Sequence, residues 1–396
     1  MPKPILLLNC GSSSIKYQMI DADTESVMAV GLVQKVGDPT PGTIDHEVGG
    51  EEFHDEAYFP SHTEAIAAVV KMFHRHGPEI RDAVAVGHRT VHGGEEFNST
   101  AVIDSAVIQK LVDLSGLAPL HNPPGISGIR AAMEILPSVP HVAVFDTAFF
   151  SNLPPEAYTY AIDRQLAKQH SIRRYGFHGT SHQYVSGRVA EFLGRDICEI
   201  KQIVCHLGNG ASLSAIDGGQ PIETTMGLTP LQGLVMGTRS GDVDPGLHAY
   251  LGRQLNLDVA DIDTLLNKRS GMLGLTGKTD MRDISALIAA GDEDAKLGMD
   301  VYVHRLVGYI GNYIAHLGGI DAITFTAGVG ENASDVRKMV VDKLGYFGAV
   351  LDEQANAIRS KQPRRISTPE SKVEILVIPT NEELAMVRET IRAIGA

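Results

Sequence analysis

Two similar hairpin-like stretches, half a chain apart, constrain this fold more than any other feature of the sequence. The first, Leu6 to Lys16 (LLLNCGSSSIK), passes from an apolar run through a polar tip with Gly11 into a second strand-like run. The second, Ile203 to Asp217 (IVCHLGNGASLSAID), repeats this plan with Gly208 and Gly210 at its tip. Small-residue tips can present backbone N–H groups to an anion, although most are ordinary turns. The repetition predicts an internal duplication, with two domains that each present one anion-binding turn to a shared cleft.

Length and charge narrow the class of protein. A chain of 396 residues suggests two domains, and a hydrophobic fraction of 43% is enough for two buried cores. The formal net charge of −14 argues against nucleic acid or an anionic membrane as the main partner. An anionic substrate must therefore be bound by a local cluster of Arg, Lys or metal. The three cysteines show no paired spacing, and no apolar run of about 18 residues appears, so we expect a reduced cytoplasmic protein without a membrane span or export signal.

Strand-like runs and amphipathic helical patterns alternate along the chain, which predicts the α/β class. Beyond the two hairpins, strands are predicted at 27–36, 83–87, 141–145, 322–326 and 373–378, and helices at 63–74, 124–136, 181–193, 294–317 and from about 381. The region 227–246 is predicted to be a Gly-rich loop. Because no long linker separates the halves, we place a short hinge near 146–153.

Two arginines lie in positions that suit anion binding. Arg239 lies in the Gly-rich segment Met236 to Gly246 (MGTRSGDVDPG), and Arg89 follows a predicted strand. Guanidinium groups bind phosphate or carboxylate oxygens bidentately, and two of them together would offset the negative field of the protein. Turn formation alone would also explain the aspartates and glycines of this loop.

Three further polar residues are candidates for chemistry. His178 lies in a loop before a predicted helix that Thr180 or Ser181 is expected to cap, and a helix N-terminus is a natural anion site, although a structural histidine fits equally well. Asp146 follows the strand HVAVF, and residues just past such strand ends line the ligand crevice of α/β sheets. Glu382 follows the last strand, where it is either the Glu of a capping box or a ligand of Mg²⁺.

Two Gly-rich segments resemble nucleotide-binding loops. The segment Gly328 to Asn332 (GVGEN) is predicted to be a strand-to-helix turn close to a nucleotide, although the full G-x-G-x-x-G is absent. The segment Ser270 to Asp280 (SGMLGLTGKTD) nearly matches a Walker A loop, but Gly271 is one residue too far from Gly277 and no apolar strand precedes it. We interpret the second match as accidental. A P-loop NTPase that uses this segment is the alternative.

Five motifs in order, LLLNCGSSSIK, GFHGTSH, MGTRSGDVDPG, FTAGVGEN and PTNEELA, resemble the acetate kinase family, and the match covers nearly the whole chain. The resemblance implies duplicated ribonuclease H-like domains of the actin-like ATPase class with an interdomain cleft. These would be residues 1–149 joined by 383–396, and residues 150–382 with most of the nucleotide site. It also implies a cytoplasmic homodimer that reversibly transfers the γ-phosphoryl group of ATP to acetate, with Mg²⁺ (or Mn²⁺), forming acetyl phosphate and ADP.

The resemblance further implies roles for residues at matching positions. The implied catalytic residues are Asp146, His178 and Arg239. The residues implied to bind the substrate are Arg89 and those of an acetate methyl pocket, Val91, Leu120, Phe177 and Pro230. The residues implied to bind the nucleotide are Lys16, His206, Leu207, Gly208, Asn209, Gly210, Asp280, Met281, Arg282, Gly328, Val329, Gly330, Glu331 and Asn332. The residues implied to bind magnesium are Asn9 and Glu382. The sequence departs from the family pattern at Thr90, Leu228 and Gln232, which replace Val, Phe and an acidic residue beside these motifs.

Three other interpretations stay open at this point. The four pocket residues are apolar, so they are also compatible with an ordinary core. The protein can be a propionate kinase of the same family. It can also be an ATP-switched binding module on the same fold, although such a module has no use for Arg89, His178 and Arg239 together near a γ-phosphate.

Overall fold

The chain divides into two units in the computed structural model, which describes residues 2–119 and 121–395. The first unit comprises Met1–Ser151 and Asn381–Ala396, and the second comprises Asn152–Thr380. The domain limits that the family resemblance implies, 149/150 and 382/383, stay a prediction.

The first unit is built on one eight-stranded sheet. Its strands are β1 (Pro4–Cys10), β2 (Ser14–Asp21), β3 (Ser26–Gln34), β4 (Gly42–Val48), β5 (Glu51–Ala57), β6 (Ala85–Thr90), β7 (Ala101–Val102) and β8 (His141–Phe145). Its helices are α1 (His62–His76), α2 (Ser105–Asp113), α3 (Asn122–Ile135) and the last helix of the chain, α15 (Glu382–Ile394). The strand order is β5-β4-β3-β2-β1-β6-β8-β7. Strands β1 to β5 form an antiparallel meander, and β6 and β8 run parallel to β1.

The apolar run of β1 is continuous because both faces of this strand are covered. Successive side chains of a strand point to opposite faces. Leu6 and Leu8 accordingly belong to one core cluster with Phe73 of α1, whereas Ile5 belongs to another with Met386 of α15. This two-sided burial fixes β1 at the centre of the sheet.

The second unit contains a six-stranded sheet and most of the helices. Its strands are β9 (Lys201–Leu207), β10 (Ala211–Asp217), β11 (Gln220–Thr224), β12 (Ala322–Thr326), β13 (Arg364–Arg365) and β14 (Glu374–Val377). Its helices are α4 (Pro155–Tyr158), α5 (Arg164–Gln169), α6 (Gly179–Leu193), α7 (Gly246–Leu255), α8 (Val259–Lys268), α9 (Gly271–Thr276), α10 (Met281–Ala289), α11 (Glu293–Leu317), α12 (Ala327–Asn332), α13 (Ser334–Val341) and α14 (Glu353–Ala357). The strand order is β11-β10-β9-β12-β14-β13.

The two sheets share one five-strand core, as the predicted duplication requires. In the first unit this core is β3-β2-β1-β6-β8, and in the second it is β11-β10-β9-β12-β14. In each, three antiparallel strands are followed by two strands parallel to the central one. The predicted α/β class with duplicated ribonuclease H-like units is therefore confirmed. Among the described residues, no helix is both long and apolar enough to cross a membrane.

Two local predictions need correction or addition. The segment Gly328 to Asn332 is not a turn, because it lies inside helix α12, which begins directly after β12 with Ala327 at a φ of 63°. The hairpin of β4 and β5 was not predicted. The charged run Glu51 to Ala57 (EEFHDEA) lacks the apolar alternation of a half-buried strand, and it forms the largely exposed edge of the sheet.

The Walker-like segment has no P-loop geometry. Gly271 to Thr276 forms helix α9, and Gly277 caps its C-terminus with a φ of 73°. A P-loop connects a strand to a helix, whereas this segment follows α8 and precedes α10. The interpretation of the match as accidental agrees with this geometry.

Candidate active site

The first unit brings Arg89 and Asp146 together in a bidentate ion pair. Arg89 lies near the end of β6, and Asp146 directly follows the parallel strand β8, so both occupy the same edge of the sheet. Arg89 Nε donates to Asp146 Oδ1 at 3.0 Å, and Nη2 donates to Oδ2 at 2.8 Å. The Asp146 side chain is only 4% exposed, whereas Arg89 retains 26%. The carboxylate of Asp146 raises the pKa of the Arg89 guanidinium.

Glu382 lies beside this pair. Its Oε2 is 3.9 Å from Arg89 Nη2, too far for a hydrogen bond, and the side chain is 26% exposed. Burial raises the pKa of Glu382, and the nearby Asp146 raises it further, whereas Arg89 and Lys16 lower it. Lys16 is exposed on β2 and is paired across the hairpin with Asn9. The two predicted metal residues, Asn9 and Glu382, thus belong to one unit and to the surroundings of Lys16.

The proposed capping box at Glu382 is wrong. Asn381 is the N-cap of α15, and its side chain accepts a hydrogen bond from Leu384 N. Glu382 is therefore the first residue of the helix, two positions before the one at which a capping-box Glu would lie. Its carboxylate remains available for another role.

One residue of the predicted methyl pocket is described in the first unit. Val91 follows β6 and is half-buried. Leu120 lies outside the described residues. The other two pocket residues, Phe177 and Pro230, belong to the second unit, where Phe177 is buried and Pro230 is half-buried.

In the second unit, His178 is held in an unusual backbone conformation. It is the N-cap of α6, with φ 58° and ψ 25° in the left-handed region, and its side chain makes no capping bond. Thr180 and Ser181 therefore do not cap this helix, contrary to the prediction, because they already lie in its first turn. The imidazole is directed instead to β10, where Nδ1 is 2.9 Å from Ser212 Oγ. A strained backbone at a helix start is typical of functional sites.

His178 stacks on His206, which occupies the end of β9. The ring centroids are 4.3 Å apart, with an interplanar angle of 20°. His206 Nδ1 is 2.8 Å from Ser181 Oγ, and this oxygen is 2.8 Å from Thr380 Oγ1. Ser212 Oγ is also 2.8 Å from Nε2 of His182, which is fully buried. These contacts hold both histidine rings in one orientation.

Arg239 is directed to the same place from the Gly-rich loop. A Cβ added to Gly210 would lie 3.4 Å from both Arg239 Nη1 and His178 Nε2, so the two cationic or donor groups flank the hairpin tip. Arg239 Nη1 also donates to the carbonyl of Pro230 at 3.3 Å. Among the described residues, no carboxylate forms an ion pair with Arg239, and burial lowers its pKa. A guanidinium without a counter-ion is suited to an anionic ligand.

The hairpin tip and the Gly-rich loop are joined. After the buried Leu207, Gly208 N donates to the Gly210 carbonyl at 3.0 Å to close the turn. The carbonyl of Asn209 accepts from Gly237 N at 2.9 Å. A Cβ at Gly237 would lie 1.9 Å from Asn209 Oδ1, so a larger residue there would displace the Asn209 side chain. The tip, His178 and Arg239 therefore form one cluster.

Of the other predicted nucleotide segments, one adjoins this cluster. A Cβ at Gly208 would lie 3.9 Å from the Cβ of Ala327, at the start of α12, which contains Gly328, Val329, Gly330, Glu331 and Asn332. Glu331 Oε1 accepts from Thr380 N at 3.2 Å, and burial raises the pKa of Glu331. Asp280, Met281 and Arg282 lie elsewhere, at the start of α10, where Asp280 is the N-cap and pairs with the exposed Arg282 at 2.5 Å. Within the described ranges, no hydrogen bond joins these three residues to the His178 cluster.

The sequence analysis missed the residues that orient the histidines. Ser212 and Ser214 were seen only as small residues after the tip, although their spacing of two places both on one face of β10. His178 and His182 are four apart, which places both on one face at the start of α6. The helical spacing of the histidines and the strand spacing of the serines were thus the sequence signals that could have identified these residues.

The two clusters have complementary chemistry. Arg89, anchored by two of its five N–H groups on Asp146, has others with which to bind a carboxylate. Arg239 and His178 flank Gly210 at the hairpin tip, and guanidinium, imidazole and backbone N–H groups are of the types that donate to phosphate oxygens. No group of three or more His, Cys, Asp or Glu side chains in residues 2–119 and 121–395 is placed to hold a metal ion.

The duplicated five-strand order is that of the α/β class that includes the actin-like ATPases. More specifically, this chain belongs to the acetokinase family, whose model matches residues 4–388. It is 52% identical over 394 residues to the acetate kinase of Leifsonia xyli subsp. xyli (strain CTCB07), an alignment that covers 99% of each chain.

Solved structures give the same relationship. The crystal structure of Porphyromonas gingivalis acetate kinase superposes with a TM-score of 0.95 at 41% identity, covering 99% of this chain and 100% of that one. A propionate kinase from Francisella tularensis subsp. tularensis SCHU S4 superposes with a TM-score of 0.93 at 39% identity, covering 98% and 99%. Both cover essentially the full length, so the fold is that of the family throughout.

Proposed function

We propose that this protein is an acetate kinase, which reversibly transfers the γ-phosphoryl group of ATP to acetate and forms acetyl phosphate and ADP. The observation that supports it most is the 52% identity to an acetate kinase over 99% of both chains. The anchored guanidinium of Arg89 and the unpaired guanidinium of Arg239 are consistent with a reaction between two anions.

The acceptor needs no general base. Acetate is already ionised at neutral pH, so its carboxylate oxygen can attack the γ-phosphorus directly while the bond to the β,γ-bridging oxygen breaks and ADP leaves. Arg89 is proposed to bind the acetate carboxylate. Asp146 is proposed to hold the guanidinium of Arg89 in place, because both of its oxygens already accept from that group. Val91, Leu120, Phe177 and Pro230 are proposed to contact the methyl group.

Negative charge is spread over the equatorial oxygens of the transferred phosphoryl group in the transition state. Arg239 and His178 are proposed to donate to these oxygens, which requires a proton on His178 Nε2. Backbone N–H groups around Gly208 to Gly210 and at the start of α12 are proposed to bind the nucleotide phosphates, with Lys16 as a further contact. His206 is proposed to support the ring of His178 by stacking. Asp280 to Arg282 stay a predicted nucleotide segment.

Magnesium fits the donors around Asn9 and Glu382. An amide and a carboxylate supply the oxygen ligands that Mg²⁺ prefers, and few protein ligands are needed because phosphates and water complete its shell. Burial raises the pKa of Glu382, and the nearby Asp146 and Glu383 raise it further, so a divalent cation bound there would favour the ionised carboxylate. Bound there, Mg²⁺ (or Mn²⁺) would neutralise phosphate charge. The family resemblance also supports a cytoplasmic homodimer as part of this proposal.

A hydroxamate assay tests the function. Purified protein is given ATP and Mg²⁺ with acetate, propionate or butyrate, and the acyl phosphate is trapped with hydroxylamine. We expect the highest kcat/KM with acetate. Absence of acyl hydroxamate with all three acids, in protein that binds ATP, would favour the ATP-switched module.

Propionate kinase is the second candidate, because a propionate kinase superposes almost as closely as an acetate kinase does. One methylene in an apolar pocket is worth only about 1–3 kcal/mol, so both acids should react to some extent. A higher kcat/KM for propionate than for acetate in the same assay would assign the chain to this candidate.

A further inference from the structure

A buried chain of hydrogen bonds runs from the core of the second unit to His178. Ser214 Oγ is 2.7 Å from His182 Nδ1, and His182 Nε2 is 2.8 Å from Ser212 Oγ. Ser212 Oγ is in turn 2.9 Å from His178 Nδ1. Ser212, Ser214 and His182 are all 0% exposed. Four side chains are therefore connected in a line that ends at a proposed catalytic residue.

Each hydroxyl in this line has one proton, which restricts the possible states. Ser212 lies between two ring nitrogens, and the described residues offer its proton no other acceptor. It must donate to one histidine and accept from the other if both bonds are to form. His182 is neutral, because burial and the neighbouring His206 hold its pKa well below the ordinary value of 6.5. It therefore has one N–H, and the whole line can point in only two directions.

Ser214 decides between the two directions. If the line points toward His178, Ser214 donates to His182 Nδ1, His182 Nε2–H donates to Ser212, and Ser212 donates to His178 Nδ1. Every proton then has an acceptor. If the line points the other way, Ser214 must accept from His182, and its own buried proton finds no acceptor in the described chain. An unsatisfied buried donor is costly, so the first direction is favoured.

We infer that Ser214, His182 and Ser212 act as positioning residues that keep His178 in the neutral tautomer with its proton on Nε2. In this state Nε2–H is a donor on the side of Gly210 and Arg239. The inference deepens the proposed function, on which its catalytic consequence rests. His178 would then serve phosphoryl transfer as a neutral donor, with no need to become an imidazolium ion.

Protonation of His178 at Nδ1 would disrupt this line of hydrogen bonds. A proton on Nδ1 would reverse all three hydrogen bonds of the line and leave the Ser214 proton unsatisfied. The groups that face the ring add to this effect: the guanidinium of Arg239 flanks Gly210 from the loop, and His206 stacks from β9.

Nitrogen-15 NMR of histidine-labelled protein tests the tautomer directly. The sequence has 16 histidines, so the His178 signals are identified by comparison with His178→Gln. We expect an unprotonated Nδ1 and a protonated Nε2 at about pH 8, where an ordinary imidazole is neutral. A protonated Nδ1 at that pH, alone or in an imidazolium ion, would overturn the inference. The tautomer is read from the unaltered protein, and the variant serves only to assign the signals.

Variants of Ser214 test what sets the direction. Ser214→Ala removes the first donor, so His178 should become a mixture of tautomers and kcat should fall about three- to tenfold, the effect of one neutral hydrogen bond, with the KM for ATP unchanged. Ser214→Thr, which keeps a hydroxyl, should restore the tautomer. The matched control is Ser186→Ala, because Ser186 is similarly buried on α6 but its hydroxyl bonds Gln202, at 2.9 Å, and is not one of the hydrogen-bonding groups of the line.

The outcomes separate the inference from the proposed function. An unchanged His178 spectrum in Ser214→Ala, or the same change in Ser186→Ala, would refute the role of the line. The Nε2–H tautomer in a protein that makes no acyl phosphate would refute the proposed function and support the inference about the hydrogen bonds.

Discussion

Replacement of Arg239 by alanine separates the catalytic from the structural effects of one side chain. The guanidinium makes a single hydrogen bond to oxygen, from Nη1 to the Pro230 carbonyl at 3.3 Å, and forms no ion pair within the described residues. A hydrogen bond from a charged donor contributes about 1.5–3 kcal/mol at short range, and at this length we expect no more than about 1 kcal/mol. Its removal should hardly lower the free energy of unfolding.

The expected catalytic effect is much larger. An arginine that stabilises the charge of a transferring phosphoryl group is worth at least about 10³ in kcat. This factor corresponds to about 4 kcal/mol of transition-state stabilisation, because each tenfold change in rate is about 1.4 kcal/mol. Arg239→Ala should therefore lose about four times more free energy in catalysis than in folding. Arg239→Lys should recover only part of the rate, because lysine lacks the planar fork.

Arg174 provides the matched control. It belongs to the same unit, but its guanidinium donates hydrogen bonds to backbone carbonyls. Nη1 donates to the carbonyls of Thr224 at 2.8 Å and Thr225 at 3.0 Å, and Nε donates to that of Ala157 at 3.2 Å. Arg174→Ala leaves these carbonyls without their donor and should lower the free energy of unfolding by about 3 kcal/mol or more. The two arginines should thus show opposite patterns.

The assays are hydroxamate formation for kcat and urea unfolding followed by far-ultraviolet circular dichroism for stability. Near-wild-type turnover in folded Arg239→Ala would refute the proposed role of this arginine. Equal losses of stability in Arg239→Ala and Arg174→Ala would show that the contacts of Arg239 are structural instead.

Three further predictions follow from the site and the fold. Val91→Ala should enlarge the acyl pocket and raise the kcat/KM of propionate relative to acetate about tenfold, within the range expected for one methylene, as measured by steady-state kinetics. Lys278→Ala should leave ATP affinity unchanged in isothermal titration, because the exposed Lys278 follows a helix cap and not a phosphate loop. The buried His46, His88 and His141 have lowered pKa values, mainly through burial, so the unfolded chain binds protons below the ordinary value of 6.5 that the folded unit does not. Stability should accordingly fall as the pH drops below 6.5, by up to about 1.4 kcal/mol per pH unit for each histidine, and urea unfolding at about pH 7 and about pH 5 should show it.

The class of fold could be predicted because local sequence patterns indicate it. The two hairpins, from Leu6 and from Ile203, each give an apolar run, a small-residue tip and a second strand, and they form β1–β2 and β9–β10. The position of Asp146 at a strand end likewise predicted its place at the edge of the sheet, although its bidentate bond to Arg89 depends on strand pairing between distant segments.

Other features escaped prediction because tertiary contacts decide them. His178 adopts a left-handed conformation that its residue type does not favour, so Thr180 and Ser181, which are good caps on propensity alone, lie inside the helix. The Glu51 to Ala57 strand forms only because β4 offers it a partner edge. The direction of hydrogen bonding around Ser212 depends on what lies beyond it in the core, which no local pattern contains.

The charges of the first unit indicate what the proposed metal would change for the proposed acceptor. Arg89 and Lys16 contribute two formal positive charges, and Asp146 and Glu382 contribute two negative ones, so the group as a whole presents no positive field. A guanidinium held in this way can orient acetate by directional hydrogen bonds but attracts it only weakly through space. The pKa of Glu382 is raised mainly by burial, and the carboxylate of Asp146 raises it further. A divalent cation at Glu382 would give the group a net positive charge. This change, and not a rearrangement of Arg89, would attract a second anion to a protein with a net charge of −14.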